Sequence, residues 1–263
     1  MQFWLVLVLG GATARFALEV TAQNRPGLGK EAKGGEDAWL AREDLIAVAD
    51  GVGGWNEHGV DPALFSRALM RHLEELLAER PDALTDPKEL LVEAVARNVE
   101  TGTSTLVVAT VDATRGLLRV ASIGDSGYLL LTRGEEGYAA AFRSKEQQHS
   151  FNFPWQVGTH GDDPADAVLD EHPLRAGDLL VVGSDGLFDN LYDADIVELV
   201  NAHAEHVDEL AQALVERAFE LSIRKDYESP FSVHARDSGV DFLGGKNDDI
   251  TVVVGRVSSA AGL

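Results

Sequence analysis

The amino-acid sequence predicts an α+β sandwich. Segments with the alternating apolar pattern of β-strands occur in groups, and segments with helical spacing lie between these groups in pairs. Strict alternation of single strands and single helices, which would favour a parallel sheet, is not the dominant pattern. The chain has 263 residues, of which 45% are hydrophobic, and no linker-like stretch divides it. One domain with a substantial core is therefore expected.

The first fourteen residues allow two interpretations. The run FWLVLVL has the length of a signal-peptide apolar region and is followed by an A-x-A pattern, but no basic segment precedes it. The same residues also fit a buried strand that continues into the alternating segment RFALEVT. The run is too short to span a bilayer. Residues 1–14 are thus a strand or a targeting remnant, followed by a domain over 15–257 and a tail over 258–263.

The amino-terminal half predicts strands followed by two helices. A loop rich in Gly and Lys covers residues 23–37, and WLAREDLIAVAD forms two short strands that end at Asp50. Asp61-Pro62 supplies an N-cap and a proline at the first helical position, and apolar residues at helical spacing continue to about Glu79. A second helix is expected from about Pro87 to Val99.

The carboxy-terminal half returns to strands and then adds a second pair of helices. STLVVATVD, LLRVASI, GYLLLTR and GYAAAFR are separated by turn residues and predict an antiparallel meander. GDLLVVGSDG is a further buried strand, and DDITVVVGRV is the last one. DADIVELVNAHA and HVDELAQALVERAFELSIRK are expected to be helices. HSFNFPWQVGTHGDD, residues 149–163, is either a packed connection or a wall that faces a substrate.

The charge and the cysteine content exclude several classes of function. The formal net charge is −22, from 44 acidic and 22 basic residues, and it would repel nucleic acid and anionic membranes. We therefore expect no nucleic-acid partner and no stable membrane insertion. The chain has no cysteine, so disulfide frameworks and thiolate metal sites are excluded.

Four aspartates occupy equivalent places at the ends of apolar strands. Asp50 follows LIAVA, Asp125 follows RVASI, Asp185 follows LLVVGS and Asp248 precedes DITVVV. Carboxylates gathered at the edge of an apolar core repel one another unless a cation neutralises them. Oxygen donors without cysteine or paired histidines suit Mg²⁺ or Mn²⁺ better than zinc. Two such ions can activate water and bind a phosphoryl group.

The motifs together resemble the metal-dependent protein phosphatases of the 2C type. GGEDAW, VADGVGGWNEHGVDPALFSRALM, TGTSTLVVATVD, VASIGDSGYLLL, GDLLVVGSDGLFDN and GGKNDDITVVV occur in that family's order, over roughly residues 15–257. ADGVGGW, GVDPALFS and HSFNFPWQVG are most similar to the branch found in eukaryotic mitochondria and plastids. The resemblance implies two stacked antiparallel β-sheets flanked by α-helices, a four-layer αββα sandwich with metals at one end.

The resemblance also implies an activity and a catalytic metal centre. The expected reaction is hydrolysis of phosphoserine and phosphothreonine on proteins by a metal-activated water, without a phosphoenzyme. Asp50 would bridge two Mg²⁺ or Mn²⁺ ions with help from the Gly51 carbonyl, and Asp185 and Asp248 would hold the first metal. The protein is expected to be an intracellular monomer that binds phosphorylated proteins, in a mitochondrion or a plastid if the resemblance extends so far.

The remaining ligands implied by the resemblance are less fully specified. Glu36 or Asp37 would serve the second metal, and Asp125 would lie near a more labile third ion. The family often has an arginine before the acidic pair that binds phosphate, whereas this chain offers Lys33 or the more distant Arg25. We select Lys33 as the expected substrate-binding residue. A lysine supplies charge without the bidentate geometry of arginine.

A further departure concerns the proton donor to the leaving group. Many family members have a histidine just after the bridging Asp-Gly, and Val52 stands there in this chain. The leaving-group acid is therefore not assigned.

Three other functions compete with this interpretation. Gly-Asp-Ser-Gly at 124–127 is also the nucleophile motif of some serine proteases, but the histidine and oxyanion-hole context is missing and Ser126 is expected to bond locally to backbone. GSDG resembles the aspartyl-phosphate motif of haloacid-dehalogenase-type phosphatases, whose nucleophile would fall on Gly183. A phosphatase-shaped binding module without activity is disfavoured because the matched carboxylates are all present.

Overall fold

The computed structural model describes residues 15–80 and 86–260. Residues 1–14, with their two interpretations as strand or targeting remnant, lie outside the described residues. The strands are β1 (Arg15–Arg25), β2 (Asp37–Ala41), β3 (Leu45–Asp50), β4 (Thr103–Ser104), β5 (Leu106–Asp112), β6 (Leu117–Ile123), β7 (Gly127–Gly134), β8 (Gly137–Arg143), β9 (Gln148–Ser150), β10 (Phe153–Pro154), β11 (Val157–Gly158), β12 (Val168–Pro173), β13 (Leu179–Gly183) and β14 (Ile250–Ala260).

Besides short 3₁₀ helices, the described residues also contain six α-helices. They are α1 (Pro62–Glu79), α2 (Pro87–Arg97), α3 (Asp185–Phe188), α4 (Asp193–His203), α5 (Val207–Ser222) and α6 (Pro230–Asp237). None of the helices in residues 15–80 and 86–260 is long and apolar enough to cross a membrane.

Two antiparallel sheets of five strands form the centre of the molecule. The first has the order β12-β6-β5-β3-β2, and the second has the order β1-β14-β13-β7-β8. Leu18, Ile46 and Val182 belong to a buried apolar cluster contributed by both sheets, which places the sheets face to face. The predicted pair of stacked sheets is confirmed.

Helices cover the outer face of each sheet. Leu69 and Leu73 of α1 and Leu90 of α2 are buried with residues of β3 and β5, whereas Leu210 and Leu214 of α5 are buried with residues of β13 and β14. The order of layers is therefore helices, sheet, sheet, helices, as the four-layer sandwich requires.

Local sequence explains where the first two helices begin and end. The Asp61 side chain accepts a hydrogen bond from the backbone N–H of Ala63, and Asp86 caps α2 in the same way. Proline occupies the first helical position of both. Helix α2 ends at Arg97, two residues before the predicted end, and Val99 is 89% exposed.

Some elements had no clear signal in the sequence. Strand β12 has no buried residue and forms by pairing with β6 at the edge of the first sheet. Helices α3 and α6 have only four and eight residues. The last strand, β14, continues to Ala260, beyond the predicted domain end at residue 257, because β1 pairs with it along its whole length.

Candidate metal centre

A pocket of about 250 Å³ opens where the strands of both sheets end. β13 and β14 are antiparallel neighbours in one sheet, so they bring Asp185, which follows β13, and Asp248, which precedes β14, to the same end. Asp50 ends β3 of the facing sheet and lines the same pocket. The described residues that line the pocket are Lys30, Glu36, Asp50, Gly51, Val52, Gly53, Gly54, Thr105, Asp125, Asn152, Pro154, Asp185, Lys246 and Asp248. Six of the predicted ligands therefore face one cavity.

Backbone packing fixes Asp50 and Gly51. Asp50 is paired with Asp37 in the register of β2 and β3, and its carbonyl accepts a hydrogen bond from the Ser104 hydroxyl at 2.7 Å. A Cβ atom on Gly51 would lie 2.8 Å from the carbonyl oxygens of Glu36 and Pro62. Only glycine fits at this position, and it leaves the strand end close to the pocket.

Glu36 is buried, and each oxygen of its carboxylate accepts a hydrogen bond. Lys30 Nζ lies 2.6 Å from Glu36 Oε2, and the Asn56 side-chain amide donates to Oε1 at 2.5 Å. The Glu36 carbonyl accepts a hydrogen bond from the Ser66 hydroxyl of α1 at 2.6 Å. Sequence reasoning did not identify Asn56, which lies in the 3₁₀ helix Gly53–His58 beside the pocket.

Asp37, the alternative second-metal ligand, is buried next to this group but is not among the pocket-lining residues. Burial and the neighbouring Asp249 carboxylate raise the pKa of Asp37 to about 8. Of the two alternatives, Glu36 is the one that faces the pocket.

Lys30 is the cation that the amino-terminal loop places in the pocket. Its Nζ lies 2.9 Å from Asp248 Oδ1 and 3.3 Å from Asp249 Oδ2, in addition to its contact with Glu36. Lys33, the residue selected from the sequence, lies outside the pocket lining and donates to Asn56 Oδ1 at 3.3 Å. Arg25, the other candidate, has its guanidinium 3.4 Å from the ring centre of Phe219.

Lys246 occupies the opposite side of the pocket. Its Nζ forms a short hydrogen bond with Asp185 Oδ2 and lies 2.8 Å from Asp189 Oδ2. Asp189 was missed by sequence reasoning, although its spacing of four residues from Asp185 along a helical turn places both carboxylates on one face. Burial and the Asp185 charge raise the pKa of Asp189 to about 7, against the effect of Lys246.

The electrostatics of the pocket are those of crowded carboxylates. Desolvation by the surrounding protein, together with Asp37 and Asp185, raises the pKa of Asp50 well above its ordinary value. Desolvation and Asp185 also raise the pKa of Asp125. Burial acts on Asp248 in the same direction, but the ammonium groups of Lys246 and Lys30 outweigh it and lower the pKa of Asp248.

The donor set fits a hard divalent cation. The pocket offers carboxylate and carbonyl oxygens, and Asp185 Oδ1 is buried without a hydrogen-bond partner. Within residues 15–80 and 86–260, however, no three carboxylate or imidazole side chains are already arranged to hold a metal ion. The ammonium groups of Lys30 and Lys246 stand between the carboxylates. The individual ligand assignments therefore remain predictions.

The Gly-Asp-Ser-Gly turn separates the roles of Asp125 and Ser126. Asp125 lines the pocket, whereas Ser126 is buried and its hydroxyl is 2.7 Å from the hydroxyl of Thr105. The partner of Ser126 is thus a side chain 21 residues away, and not the local backbone that the sequence suggested. Gly124 has φ of 103°, and a Cβ there would lie 2.6 Å from Thr105 Cγ2.

The segment 149–163 is divided between two cavities. Asn152, with φ of 54°, and Pro154 line the pocket. Gln156 instead lines a second cavity of about 220 Å³, and its Oε1 accepts a hydrogen bond from Thr103 at 2.5 Å. The hairpin of β9 and β10 therefore forms a wall shared by both cavities, and only part of the predicted segment faces the carboxylates.

A two-sheet sandwich with a pocket of carboxylate and carbonyl oxygens at one end of its strands suits a protein that binds hard divalent cations. The sequence model of the family described as Stage II sporulation protein E (SpoIIE) matches residues 44–258. A probable protein phosphatase 2C 1 of Oryza sativa subsp. japonica is 38% identical over 246 residues, which cover 88% of this chain and 72% of that protein. The chain belongs to the metal-dependent protein phosphatase 2C family and is a serine/threonine protein phosphatase that depends on divalent metal.

Further relatives agree with this assignment. The protein phosphatase PTC7 homolog of Homo sapiens is 36% identical over 246 residues, covering 85% of this chain and 80% of that one. The solved structure of the photosystem II phosphatase PBCP matches with a TM-score of 0.85 and 36% identity over 91% of this chain and 98% of that one. The catalytic domain of PstP, in complex with two manganese ions, has the same fold, with a TM-score of 0.65 at 22% identity over 92% of this chain and 99% of PstP.

Proposed function

We propose that this chain hydrolyses phosphoserine and phosphothreonine on proteins with two Mg²⁺ or Mn²⁺ ions. Asp50, the Gly51 carbonyl, Asp185, Asp248 and Glu36 would hold these ions. The observation that supports this proposal is the convergence of these groups on one pocket around Asp50. Burial and, after it, the neighbouring carboxylates raise the pKa of Asp50, and divalent cations would neutralise the negative charge gathered there.

The ions, when bound, supply the Lewis acidity that activates water at neutral pH. The residues of the chain bind the substrate and orient it in the pocket. Lys30 is partly exposed, and its ammonium can form a charge-assisted hydrogen bond with a phosphate oxygen. Val52, Gly53 and Gly54 present little side-chain bulk, so a phosphorylated side chain can approach Asp50.

Two features of the lining bear on proton transfer and on covalent catalysis. Val52 has no ionisable group, and the fourteen described lining residues include no histidine. The lining also includes neither serine nor cysteine. The pocket side chains therefore favour direct attack by water over a phosphoseryl or phosphocysteinyl intermediate.

The physiological substrate class and the compartment are extensions of the family assignment. A relative described as a photosystem II phosphatase supports phosphorylated proteins as partners and a plastid as the place of action. Fluorescence of a tagged full-length chain in cells would test the compartment.

The proposed activity is tested with a phosphothreonine peptide under metal control. We expect turnover with Mn²⁺ or Mg²⁺, loss of turnover in excess chelator, and recovery when either ion is added back. The chelated protein should remain folded by circular dichroism, so that the loss is assigned to the metal. Full turnover in excess chelator would contradict the proposal.

A further inference from the structure

The side chain of Lys246 lies among the carboxylates on the α3 side of the pocket. Its Nζ is hydrogen-bonded to Asp185 and Asp189 and lies 3.6 Å from Asp248 Oδ2. The negative charge of Asp125 also acts on this ammonium. Asp125 and Asp185 are two of the carboxylates around which the sequence predicted metal ions, including a labile third one.

The backbone of Lys246 is clamped to the helix that carries these carboxylates. Its N–H donates to Asn190 Oδ1 at 2.9 Å, and the Asn190 amide donates to the Lys246 carbonyl at the same distance. Asn190 is fully buried and also donates to the Gly186 carbonyl of α3 at 2.9 Å. The origin of the lysine side chain is therefore fixed relative to Asp185 and Asp189.

The ammonium itself is enclosed. The Lys246 side chain is 14% exposed, and the ring centre of Phe231 lies 5.1 Å from Nζ, within the range of a cation–π contact. Lys30, in contrast, has a side chain that is 33% exposed. The surroundings of Lys246 are those of a permanent structural cation.

We propose that the Lys246 ammonium takes the place of a third divalent ion, so that this chain binds two metal ions and not three. The inference rests on the proposed function, since it concerns the same pocket. The ammonium is hydrogen-bonded to Asp185 Oδ2 and Asp189 Oδ2, so a third ion on this side could not use these two oxygen atoms. Asp185 Oδ1 has no hydrogen-bond partner and remains for the first metal. Two cations a few ångströms apart at a partly desolvated site repel each other strongly. Because the Lys246 ammonium is part of the chain, it does not dissociate. It therefore excludes the third ion at any metal concentration at which the protein stays folded.

The test is a count of bound Mn²⁺ by equilibrium dialysis and calorimetry up to millimolar metal. We expect two ions for the unmodified chain, three for Lys246→Ala, and two again for the double variant Lys246→Ala with Asp189→Asn, because the second change removes a ligand of the opened site. Lys88→Ala, a lysine on α2, is the matched control and should bind two.

Three ions in the unmodified chain would overturn the proposal, and so would two ions in a folded Lys246→Ala. If Lys246→Ala does not fold, the count for the unmodified chain decides alone. Turnover of the phosphothreonine peptide is measured separately. A folded chain that binds two ions without turnover would contradict the proposed function and leave the role of Lys246 intact.

Discussion

The two lysines of the pocket carry the same charge but are held in different ways. Lys30 extends from an irregular loop before β2, contacts Glu36 and Asp248, and has a third of its side chain exposed. Lys246 is anchored by Asn190 and packed over Phe231. An ammonium on a partly exposed loop can exchange a carboxylate for a phosphate oxygen, whereas a clamped and enclosed one keeps its partners. We infer that Lys30 binds the phosphate of the substrate, whereas Lys246 neutralises the carboxylates of the pocket.

The largest expected effect is at Asp50, a pocket carboxylate with which neither lysine forms an ion pair. Asp50→Asn keeps the side-chain size and removes the charge, so peptide turnover should fall by at least about a hundredfold, because both ions lose a ligand. The metal-free variant should melt at least about 2 °C higher than the unmodified chain, since it no longer buries a carboxylate that Asp37 and Asp185 repel.

Turnover by Mn²⁺ titration and melting by circular dichroism check both parts of this prediction. Asp44→Asn, which changes an aspartate on the β2–β3 connection, is the control and should leave turnover unchanged. Normal turnover by Asp50→Asn would refute its bridging role and remove the basis of the comparison.

The second prediction separates Lys30 from Lys33. Lys30→Ala should raise KM for the phosphopeptide by about tenfold, the loss expected for one charge-assisted hydrogen bond, with a smaller change in kcat. Lys33→Ala should change KM by less than about twofold, because exposed polar contacts contribute little. Steady-state kinetics at saturating Mn²⁺ measure both. The opposite ranking would restore Lys33 as the phosphate ligand.

The third prediction concerns the neutral partner of Glu36. Asn56→Ala removes the amide that orients Glu36 Oε1, a contribution of about 1 kcal/mol. The more weakly bound of the two Mn²⁺ ions should therefore bind about fivefold less tightly. Calorimetric titration of Mn²⁺ into the unmodified chain and into each variant gives the affinity independently of turnover. Asn56→Asp should weaken binding further, because it places a second carboxylate against Glu36. Unchanged affinity in both variants would show that Lys30 alone positions Glu36.

The smallest expected effect is at the serine beside Asp125. Ser126→Ala removes the hydrogen bond to Thr105, so the free energy of unfolding should fall by about 1 kcal/mol and turnover should change by less than about tenfold. Chemical denaturation and peptide kinetics measure the two quantities. Asp125→Asn is the informative companion, because it should reduce turnover more than Ser126→Ala. An inactive Ser126→Ala with normal Asp125→Asn would support serine chemistry.

The sequence predicted the carboxylates because strand ends are visible in an apolar pattern. An aspartate directly after or before a buried strand must lie at the sheet end, and antiparallel pairing then brings several of them together. The order of layers followed from the family resemblance, and the packing of α1, α2 and α5 confirmed it. Edge strand β12 was not predicted, since pairing with β6 determines it and its side chains are exposed.

The cations were harder to predict, because they depend on loop geometry. Lys30 and Lys33 lie in the same loop, and the 3₁₀ turn at Glu31–Lys33 separates their directions, so that only Lys30 reaches the carboxylates. No periodicity encodes such a turn. Lys246 was overlooked for a similar reason, since its position depends on the side chain of Asn190, more than fifty residues earlier.

The pairing of β1 with β14 has a consequence for how the protein is made. Residues 15–25 pair with residues 250–260 along their whole length, and Asp248 stands two residues before β14. On the ribosome, β1 therefore cannot pair until residues 250–260 have been made, and such long-range pairing slows folding. The catalytic pocket is completed in the same event. A nascent chain that lacks β14 therefore has no complete metal centre, so the protein can become active only after β14 has been made.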